Sequence, residues 1–285
     1  MSLRKPGRVA VLWFDGVISD DPRAGFDLRD RGLLLGDGLF ETLVVANGRA
    51  FILDAHLDRL LAGAAALNIP VDRASLRRPV DDLTAALPDG GIIRLTLTRG
   101  AGPRGLRPPA SPQPTIFASA SGPWSPNPTA AEVRLATARI RRNPHSPTSR
   151  YKTLAYLDHV LALQEALDQG ADDALLLETG GHLACTSAGN IFVLQGESLL
   201  TPSLDNGVLP GITRALVLDV VAPELRLIPQ EVSLSRDSLF QADAVFLTNS
   251  VVLVTHATEL DGKPLSRTGQ KTVEHIRAKL LALMR

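Results

Sequence analysis

The sequence predicts a two-domain α+β (mixed α/β) protein on three observations. Strand-like and helix-like segments alternate irregularly in both halves, which argues against a doubly wound parallel fold. The 285 residues suffice for two domains of ordinary size. Eight of the twenty prolines fall between residues 102 and 128, where they interrupt regular structure. We therefore predict a smaller N-terminal α/β domain over 1–120, a linker over 121–128 and a larger C-terminal domain over 129–285.

The first half of the sequence predicts a sheet with one amphipathic helix. Asn47-Gly48 between two apolar runs is typical of a tight hairpin turn. The helix is predicted over 53–69, because Leu57, Leu60, Leu61 and Ala64 recur on one stripe. Strands are predicted at 9–16, 38–46, 49–52, 91–100 and 113–120.

The second half predicts two helices among short strands. One helix is predicted over 154–170 and ends at Gly170, a residue common after helices. The other is predicted over 211–222. Gly180-Gly181 separates two of the strands as a turn. Strands are predicted at 131–140, 173–179, 182–187, 190–195 and 242–250.

Composition excludes several functional classes. Thirty basic and thirty acidic residues cancel, so no nucleic-acid partner and no anionic membrane surface are expected. No apolar run is long enough for a membrane span or a signal segment. The single cysteine, Cys185, cannot form an internal disulfide, which favours a reducing compartment. These features predict a soluble cytoplasmic protein, and no metal site is predicted.

Lysine is scarce, and its placement is informative. The basic residues are 25 arginines and 5 lysines, and Lys152 is the only lysine between residues 6 and 262. Unlike a guanidinium, an amine can lose its proton and attack a carbonyl carbon. The alternative is a surface lysine with no chemical role.

Further candidate residues suggest an anion site. Ile212 and Thr213 follow Pro210-Gly211 at a predicted helix start, where free N–H groups attract anions. The strand end 248-TNS-250 and Arg59 add hydroxyl, amide and guanidinium donors. Each of these features alone is typical of a helix cap or of an ordinary surface residue. Together with Lys152 they are the groups needed to hold a phosphorylated aldehyde, as pyridoxal 5'-phosphate requires.

Several sequence motifs together then indicate a family. The chain resembles the class IV (fold type IV) pyridoxal-phosphate enzymes, which include branched-chain and D-amino acid aminotransferases and aminodeoxychorismate lyases. The resemblance runs from about residue 8 to the C-terminus. It implies a fold like that of D-amino acid aminotransferase, with the cofactor bound by the C-terminal domain. It rests on 29-RDRGLLLGDGLFETLVVANGR-49, 56-HLDRL-60, 152-KTLAYLDHVLALQEA-166, 189-GNIFVL-194, 201-TP-202 and 207-GVLPGITR-214.

The resemblance implies roles for individual residues. Lys152 would form the internal aldimine with pyridoxal 5'-phosphate and move the α-proton. The phosphate would be bound by Arg59, Ile212, Thr213, Thr248 and Asn249. Tyr156 would lie near the phenolic oxygen of the cofactor if one gap follows the lysine. In the loop 99-RGAGPRGLR-107, Arg104 is the first candidate for the substrate carboxylate, ahead of Arg107 and Arg99, since an arginine fork suits a carboxylate. Phe40 is a further candidate for substrate contact.

Cys185 departs from the family pattern. Relatives have a glutamate five residues before the Asn of the N-x-F motif, where it pairs with the pyridine nitrogen, and counting back from Asn190 gives Cys185. Glu178 is seven residues upstream, too large a shift to replace it. We hypothesise that a neutral thiol stabilises the carbanion less well than a carboxylate would. The alternative is a buried cysteine that only packs; a nucleophilic role lacks a nearby base, because His182 faces the other side of the strand.

Three functions remain open at this point. The first is an amino acid aminotransferase that transfers the amino group between a small-molecule amino acid substrate and a 2-oxo acid. The second is an aminodeoxychorismate lyase that eliminates pyruvate to give 4-aminobenzoate. The third is a cofactor-binding protein with impaired turnover. Motif spelling favours the aminotransferase, and the resemblance also implies a homodimer.

Overall fold

The computed structural model describes residues 9–21, 25–125 and 131–285. These residues form two compact units. The first comprises the described residues up to Ser125 together with Tyr151–Ala155 and Met284–Arg285. The second comprises the remaining described residues up to Arg150 and Tyr156–Leu283. The predicted C-terminal domain included residues 151–155, which the structure places in the first unit; residues 126–128 of the predicted linker lie outside the described residues.

The first unit is built on a six-stranded antiparallel sheet in the order β2-β1-β6-β5-β3-β4. The predicted hairpin is confirmed, because Ala46 pairs with Arg49 and both Asn47 and Gly48 have positive φ, as a tight hairpin turn requires. The strands are β1 (Val9–Phe14), β2 (Val17–Ser19), β3 (Gly38–Ala46), β4 (Arg49–Ala50), β5 (Gly91–Thr98) and β6 (Thr115–Ser121).

Helices supply the other half of the core of the first unit. They are α1 (Arg31–Leu35), α2 (Leu53–Ala66) and α3 (Arg73–Ala85). The predicted stripe of α2 is confirmed in Leu57, Leu60 and Ala64, which are buried, whereas Leu61 is half-buried. Helix α3 was not predicted, because Pro79 and a high density of arginine conceal its apolar face. That face is nevertheless regular, with Leu76, Pro79, Val80 and Leu83 buried at helical spacing.

The second unit has a mixed sheet in the order β12-β11-β10-β13-β14-β7-β8-β9, with β15 paired to β14. The strand pairs β7–β8, β7–β14 and β11–β12 are parallel. Its strands are β7 (Ala131–Arg142), β8 (Asp173–Glu178), β9 (Leu183–Thr186), β10 (Asn190–Gln195), β11 (Ser198–Pro202), β12 (Ile228–Val232), β13 (Ala244–Asn249), β14 (Leu253–Leu260) and β15 (Lys263–Pro264). Its helices are α4 (Leu157–Asp168), α5 (Ile212–Leu216), α6 (Ala222–Glu224) and α7 (Gln270–Ala282).

Three helices of this unit differ from prediction, and one of them, α7, was not predicted at all. Helix α4 begins at Leu157 and not at residue 154. The predicted helix over 211–222 is present but is not uniform, since a π-helical turn at Val217–Val221 joins α5 to α6. The irregular alternation of strands and helices confirms the α+β prediction. In the described residues, no helix combines the length and the apolar character needed to cross a bilayer.

His256 is a titratable side chain buried in the second unit. His256 on β14 pairs with Phe246 and is 2% exposed, and within the described residues neither ring nitrogen has a hydrogen-bond partner. Burial, reinforced by the charge of Arg267, lowers the pKa of His256 below its ordinary value. The unfolded chain therefore binds this proton at a higher pH than the folded chain does.

We expect His256→Leu to flatten the acid side of the stability profile. The parent protein should lose stability as the pH falls below about 6.5, by up to about 1.4 kcal/mol per pH unit from this group, and the variant should lack that component. Urea unfolding measured between pH 7 and pH 5 checks this. His145→Leu, at an exposed position, is the control. Equal slopes for the parent and His256→Leu would contradict the assignment.

Candidate active site

Lys152 lies on an extended segment that adds to the edge of β3. The carbonyl of Lys152 accepts a hydrogen bond from the Phe40 N–H (3.0 Å), and the Leu154 N–H donates to the Gly38 carbonyl (2.9 Å). Leu39 and Thr153 form a bridge between these bonds. This pairing explains why α4 cannot begin at residue 154, because the backbone there is already committed to the strand. It also fixes the backbone of Lys152 within the first unit.

The Lys152 amine loses its proton more easily than an exposed lysine does. Burial lowers the pKa of Lys152 to about 8 by penalising the charged form. The positive charges of Arg59 and Arg94 lower this pKa further, whereas the negative charge of Glu41 opposes the shift. The nitrogen lies 4.3 Å from the centroid of the Phe40 ring, and Cζ of Arg94 lies 3.6 Å from the same centroid. Phe40 is thus an immediate neighbour of the amine, and the charge of Arg94 acts on it.

Glu41 on β3 is the acid whose charge acts on the Lys152 amine. Its side chain is fully buried and accepts hydrogen bonds from Arg59 Nε (2.8 Å) and Arg59 Nη2 (2.6 Å). His56 Nδ1 lies 2.7 Å from its second oxygen. Burial opposes ionisation of Glu41, but the hydrogen bonds from His56 and Arg59 outweigh it and lower the pKa of the carboxyl. Arg59 is therefore oriented by Glu41 on the neighbouring strand.

The sequence contained a signal for this pair that the prediction overlooked. Glu41 lies between Leu39 and Leu43, both of which face the core, so its side chain points inward on the strand. An inward acid needs a buried donor. His56 and Arg59 are three residues apart on α2 and so share one helix face. Either residue was an available partner.

The loop that follows β5 contains the predicted carboxylate-binding arginines. Arg99 is buried and donates to both oxygens of Asp37 (2.8 and 3.0 Å) and to the carbonyls of Leu67 (2.8 Å) and Asn68 (3.0 Å). Its fork is thus occupied by structural contacts. Arg104 and Arg107 are exposed, and so they remain candidates for binding a substrate.

In the second unit, the start of α5 and the end of β13 meet at Asn190. Asn190 pairs with Thr248 across the sheet and donates to the Leu209 carbonyl (3.0 Å). A Cβ at Gly211 would lie 1.9 Å from Asn190 Oδ1, so only glycine fits this approach. No side chain caps the helix, which begins at Ile212. The first N–H groups of the helix are thus placed beside Asn190 and its partner Thr248.

Thr248 has the donor that an anion would need. Its hydroxyl is buried and, within the described part of the chain, has no hydrogen-bond partner, a costly state for a polar group. Thr213, the second residue of α5, is buried as well. Asn249 has a structural role, since its side-chain oxygen accepts from the N–H groups of Val251 and Val252 (2.9 Å each). The unsatisfied Thr248 hydroxyl and the uncapped helix start fit a phosphate group.

Tyr156 is positioned by a neutral histidine. Its ring stacks on His159 at a centroid distance of 4.6 Å and an interplanar angle of 20°. Arg142 Nη1 donates to His159 Nε2 (2.9 Å), and because a guanidinium has no acceptor, the proton of the ring is on Nδ1. That proton is donated to the Ser187 carbonyl (2.9 Å). Neither Arg142 nor His159 was predicted as a site residue, although His159 lies within the segment 152–166 on which the family resemblance rests.

Cys185 on β9 is buried in an apolar setting. It packs with small side chains that include Ala136, Ala162 and Ala174. Burial raises the pKa of the thiol to about 11, with Arg142 opposing the shift and Asp173 adding to it. The thiol is therefore protonated at neutral pH and is a poor nucleophile. His182 is engaged elsewhere, with its Nδ1 2.8 Å from Glu178 Oε1.

The predicted residues thus fall into separate groups. The first unit contains Lys152, Phe40 and Arg59, and it also contains the loop with Arg104 and Arg107. The second unit contains Tyr156, Cys185, Ile212, Thr213, Thr248 and Asn249. Within the second unit, the structure brings the start of α5 and Thr248 next to Asn190.

Comparison with known proteins identifies the family. Residues 38–260 match the family described as Amino-transferase class IV. A D-alanine aminotransferase of Listeria monocytogenes is 31% identical over 244 residues, covering 84% of this chain and 83% of that protein. The chain belongs to the class IV aminotransferases.

Solved structures agree with this assignment. A branched-chain aminotransferase from Thermoproteus uzoniensis superimposes with a TM-score of 0.85 at 27% identity, covering 96% of this chain and 95% of that one. A 4-amino-4-deoxychorismate lyase from Pseudomonas aeruginosa gives a TM-score of 0.83 at 32% identity, covering 95% and 98%. The mixed α/β fold of this class IV aminotransferase is that of fold IV transaminases, as the sequence motifs predicted. The matched residues, 38–260, include Lys152 and also Asn190, Thr248 and the start of α5.

Proposed function

We propose that this chain is a pyridoxal-phosphate-dependent aminotransferase that moves an amino group between an amino acid and a 2-oxo acid. The observation that carries the proposal is the Lys152 amine, with its pKa lowered to about 8 and its backbone fixed to β3. When bound, pyridoxal 5'-phosphate supplies an aldehyde and an electron-accepting ring that together make the Cα proton of an amino acid removable. Lys152 would hold the cofactor, and its amine would be the base that moves that proton.

The phosphate of the cofactor would be held by donors named above. The N–H groups of Ile212 and Thr213 provide the positive end of a helix, and the hydroxyl of Thr248 provides the donor that lacks a partner. The family resemblance adds Arg59 and Asn249. For Asn249 the side-chain oxygen is occupied and the side-chain amide donates to the Ala188 carbonyl (3.3 Å), so it would offer the second hydrogen of that amide.

Further residues complete the proposed site. Tyr156, held by its stacking on His159, would donate its hydroxyl to the phenolic oxygen of the cofactor. Phe40 would line the substrate position beside the Lys152 amine. Arg104 and Arg107 would bind the substrate carboxylate, for which a planar guanidinium gives paired hydrogen bonds.

The test of the proposal is direct. Purified protein incubated with pyridoxal 5'-phosphate should develop a visible absorbance band that borohydride removes. Amino acids of both hands should then be offered with a 2-oxo acid acceptor, and the new amino acid should be measured. A protein that stays colourless and transfers no amino group would overturn the proposal.

Thr248→Val tests the phosphate site. We expect its dissociation constant for pyridoxal 5'-phosphate to rise about tenfold, since a hydrogen bond to a charged group contributes about 1.5–3 kcal/mol. The cofactor-free protein should be no less stable, because the substitution removes an unsatisfied buried hydroxyl. Fluorescence titration and urea unfolding measure the two effects.

Two comparisons sharpen this prediction. Thr255→Val makes the same change on the adjacent strand at a half-buried position and should leave affinity unchanged. Pyridoxal without its phosphate should bind the parent and Thr248→Val equally. Equal affinity of both proteins for the phosphorylated form would remove Thr248 from the site.

Cys185 is proposed to lie beside the pyridine nitrogen. A thiol with a pKa of about 11 stays neutral and cannot hold a proton on that nitrogen as a carboxylate does. We expect Cys185→Glu to raise transamination roughly tenfold and to shift the cofactor band to longer wavelength. Arg142, whose charge acts on this position, would offset part of the cost of the new carboxylate. Cys185→Ser, which stays neutral, should change neither quantity; an unchanged rate and spectrum in Cys185→Glu would assign Cys185 to packing alone.

The lyase is the second candidate function, and the neutral thiol favours it. Pyruvate elimination from aminodeoxychorismate gives an aromatic ring, so this reaction depends less on the electron-accepting cofactor. The similarity to the Pseudomonas aeruginosa lyase supports the same candidate. Supplying aminodeoxychorismate without an acceptor and measuring 4-aminobenzoate separates the lyase from the aminotransferase. Cofactor binding with neither product would instead support the third function, a cofactor-binding protein with impaired turnover.

We further propose a cytoplasmic homodimer, as the resemblance implies. Exposed leucines support an interface on the first unit, since Leu33, Leu34 and Leu106 are 58%, 62% and 82% exposed and exposed apolar patches commonly mark contacts. Sedimentation equilibrium tests the dimer.

A further inference from the structure

Arg31 is a buried charge that the proposed chemistry does not use. It is the first residue of α1 and is 5% exposed. Its Nε donates to Asp37 Oδ2 (2.8 Å), and Asp37 also accepts two hydrogen bonds from Arg99. An unpaired buried guanidinium is very costly. The partners of the remaining N–H donors of Arg31 therefore indicate the role of this residue.

Those donors all go to one loop. Arg31 Nη1 donates to the carbonyls of Gly105 (3.0 Å) and Arg107 (3.3 Å), and Nη2 donates to the carbonyl of Leu106 (3.0 Å). One side chain thus binds three consecutive carbonyls near the middle of the segment between β5 and β6. This segment, residues 99–114, has no helix or strand of its own, so its shape depends on such contacts.

The loop also packs directly on the Arg31 side chain. A Cβ at Gly102 would lie 2.9 Å from Arg31 Cδ and 3.4 Å from Pro109 Cδ. The aliphatic part of Arg31 therefore fills the space under the loop, while its head binds the backbone. Arg104 and Arg107 are exposed on this loop, and Arg107 contributes one of the three carbonyls.

We propose that Arg31 is the positioning residue of the substrate-carboxylate loop. It fixes the backbone from Gly105 to Arg107, and Asp37 and Arg99 in turn fix Arg31. By this means it sets the affinity for the carboxylate substrate without touching the substrate. The effect on substrate affinity rests on the proposed function, whereas the effect on the loop does not.

The first test uses the cofactor-free protein. Arg31→Gln should speed tryptic cleavage of the Arg104–Gly105 bond at least about tenfold, the effect of losing one charge-assisted hydrogen bond. Gly102→Ala should also speed this cleavage. The added methyl group would lie too close to Arg31 Cδ, so the Arg31 side chain would have to move away from the loop. Mass spectrometry of the fragments assigns the cleavage, and proline at position 108 prevents trypsin from cutting after Arg107.

Controls separate a local effect from unfolding. Arg29→Gln alters an exposed arginine that pairs only with Asp27 in the described residues and should leave the cleavage rate unchanged. Cleavage after Arg139, an exposed side chain on β7, reports general unfolding. The inference is overturned if cleavage after Arg104 is unchanged in both Arg31→Gln and Gly102→Ala, or if it rises only in proportion to cleavage after Arg139.

The second test uses the cofactor-loaded enzyme. Arg31→Lys retains a charge for Asp37 but cannot reach three carbonyls. We expect an unchanged cofactor absorbance spectrum, a KM for the 2-oxo acid raised about tenfold and a kcat within threefold of the parent. An unchanged KM, or a kcat that falls as much as kcat/KM, would contradict a positioning role. A parent enzyme that binds no cofactor would overturn the proposed function and leave the protease test intact.

Discussion

Lys152→Ala should abolish amino group transfer and covalent capture of the cofactor together. We expect kcat to fall about 10⁴-fold or more, because one substitution removes both the attachment point and the proton-transferring base. Borohydride treatment of the parent followed by peptide mapping should place the cofactor on the peptide that contains Lys152. The variant should show no labelled peptide.

The lowered pKa adds a dependence on pH. Only the neutral amine attacks an aldehyde, so the rate of covalent attachment to the cofactor-free parent should rise with pH and reach half its maximum at about pH 8. An ordinary lysine would place that midpoint above pH 10. Stopped-flow absorbance across this range measures it.

Lys263→Ala is the matched control for this prediction. Lys263 is exposed on β15, and it lies outside the motifs that carry the family resemblance. Its removal should alter neither labelling nor turnover. Label recovered on a different lysine, or retained by Lys152→Ala, would require another attachment point and would remove the central residue of the proposed function.

The parts of the fold that were predicted correctly are encoded locally. Asn47-Gly48 can form its turn without distant contacts, and the stripe of Leu57, Leu60 and Ala64 on α2 depends only on helical spacing. The start of α4 was placed too early because residues 152–154 pair with β3, more than 100 positions away in the sequence. The local sequence pattern does not indicate pairing between segments so far apart.

The site was predicted from motif spelling, and the limits of that method are visible in single residues. A motif can identify Lys152 or Thr248, but it does not reveal that Glu41 accepts hydrogen bonds from Arg59. Nor does it reveal that the side-chain oxygen of Asn249 accepts a hydrogen bond from the following turn. Arg99 looked like a carboxylate ligand by residue type alone. Its contacts with Asp37 and two carbonyls depend on how α2 and β5 pack, which one sequence does not specify.

Glu41→Gln should weaken the protein and also change the chemistry of Lys152. The amide keeps the shape of the side chain but leaves the Arg59 guanidinium without its carboxylate in a buried site. Breaking a buried pair in this way costs about 3–5 kcal/mol, so we expect a loss of that size in the free energy of unfolding at pH 7. Urea unfolding monitored by circular dichroism measures it.

The same substitution should move the pH dependence of cofactor capture downward. The negative charge of Glu41 raises the pKa of Lys152 against the lowering effect of burial. Its removal should therefore shift the midpoint of attachment below pH 8. A structural role alone predicts loss of stability with no change of midpoint, so the two readouts separate orientation of Arg59 from tuning of the amine.

Two variants decide the interpretation. Glu132→Gln removes a carboxylate from a half-exposed pair with Arg267 and should cost less than about 1 kcal/mol. Glu41→Gln combined with Arg59→Met removes both buried charges and should recover part of the lost stability, since a pair replaced as a unit leaves no uncompensated charge. A double variant as unstable as the sum of its singles, or a midpoint that rises in Glu41→Gln, would show that Glu41 does not act on Arg59 and Lys152 through its charge.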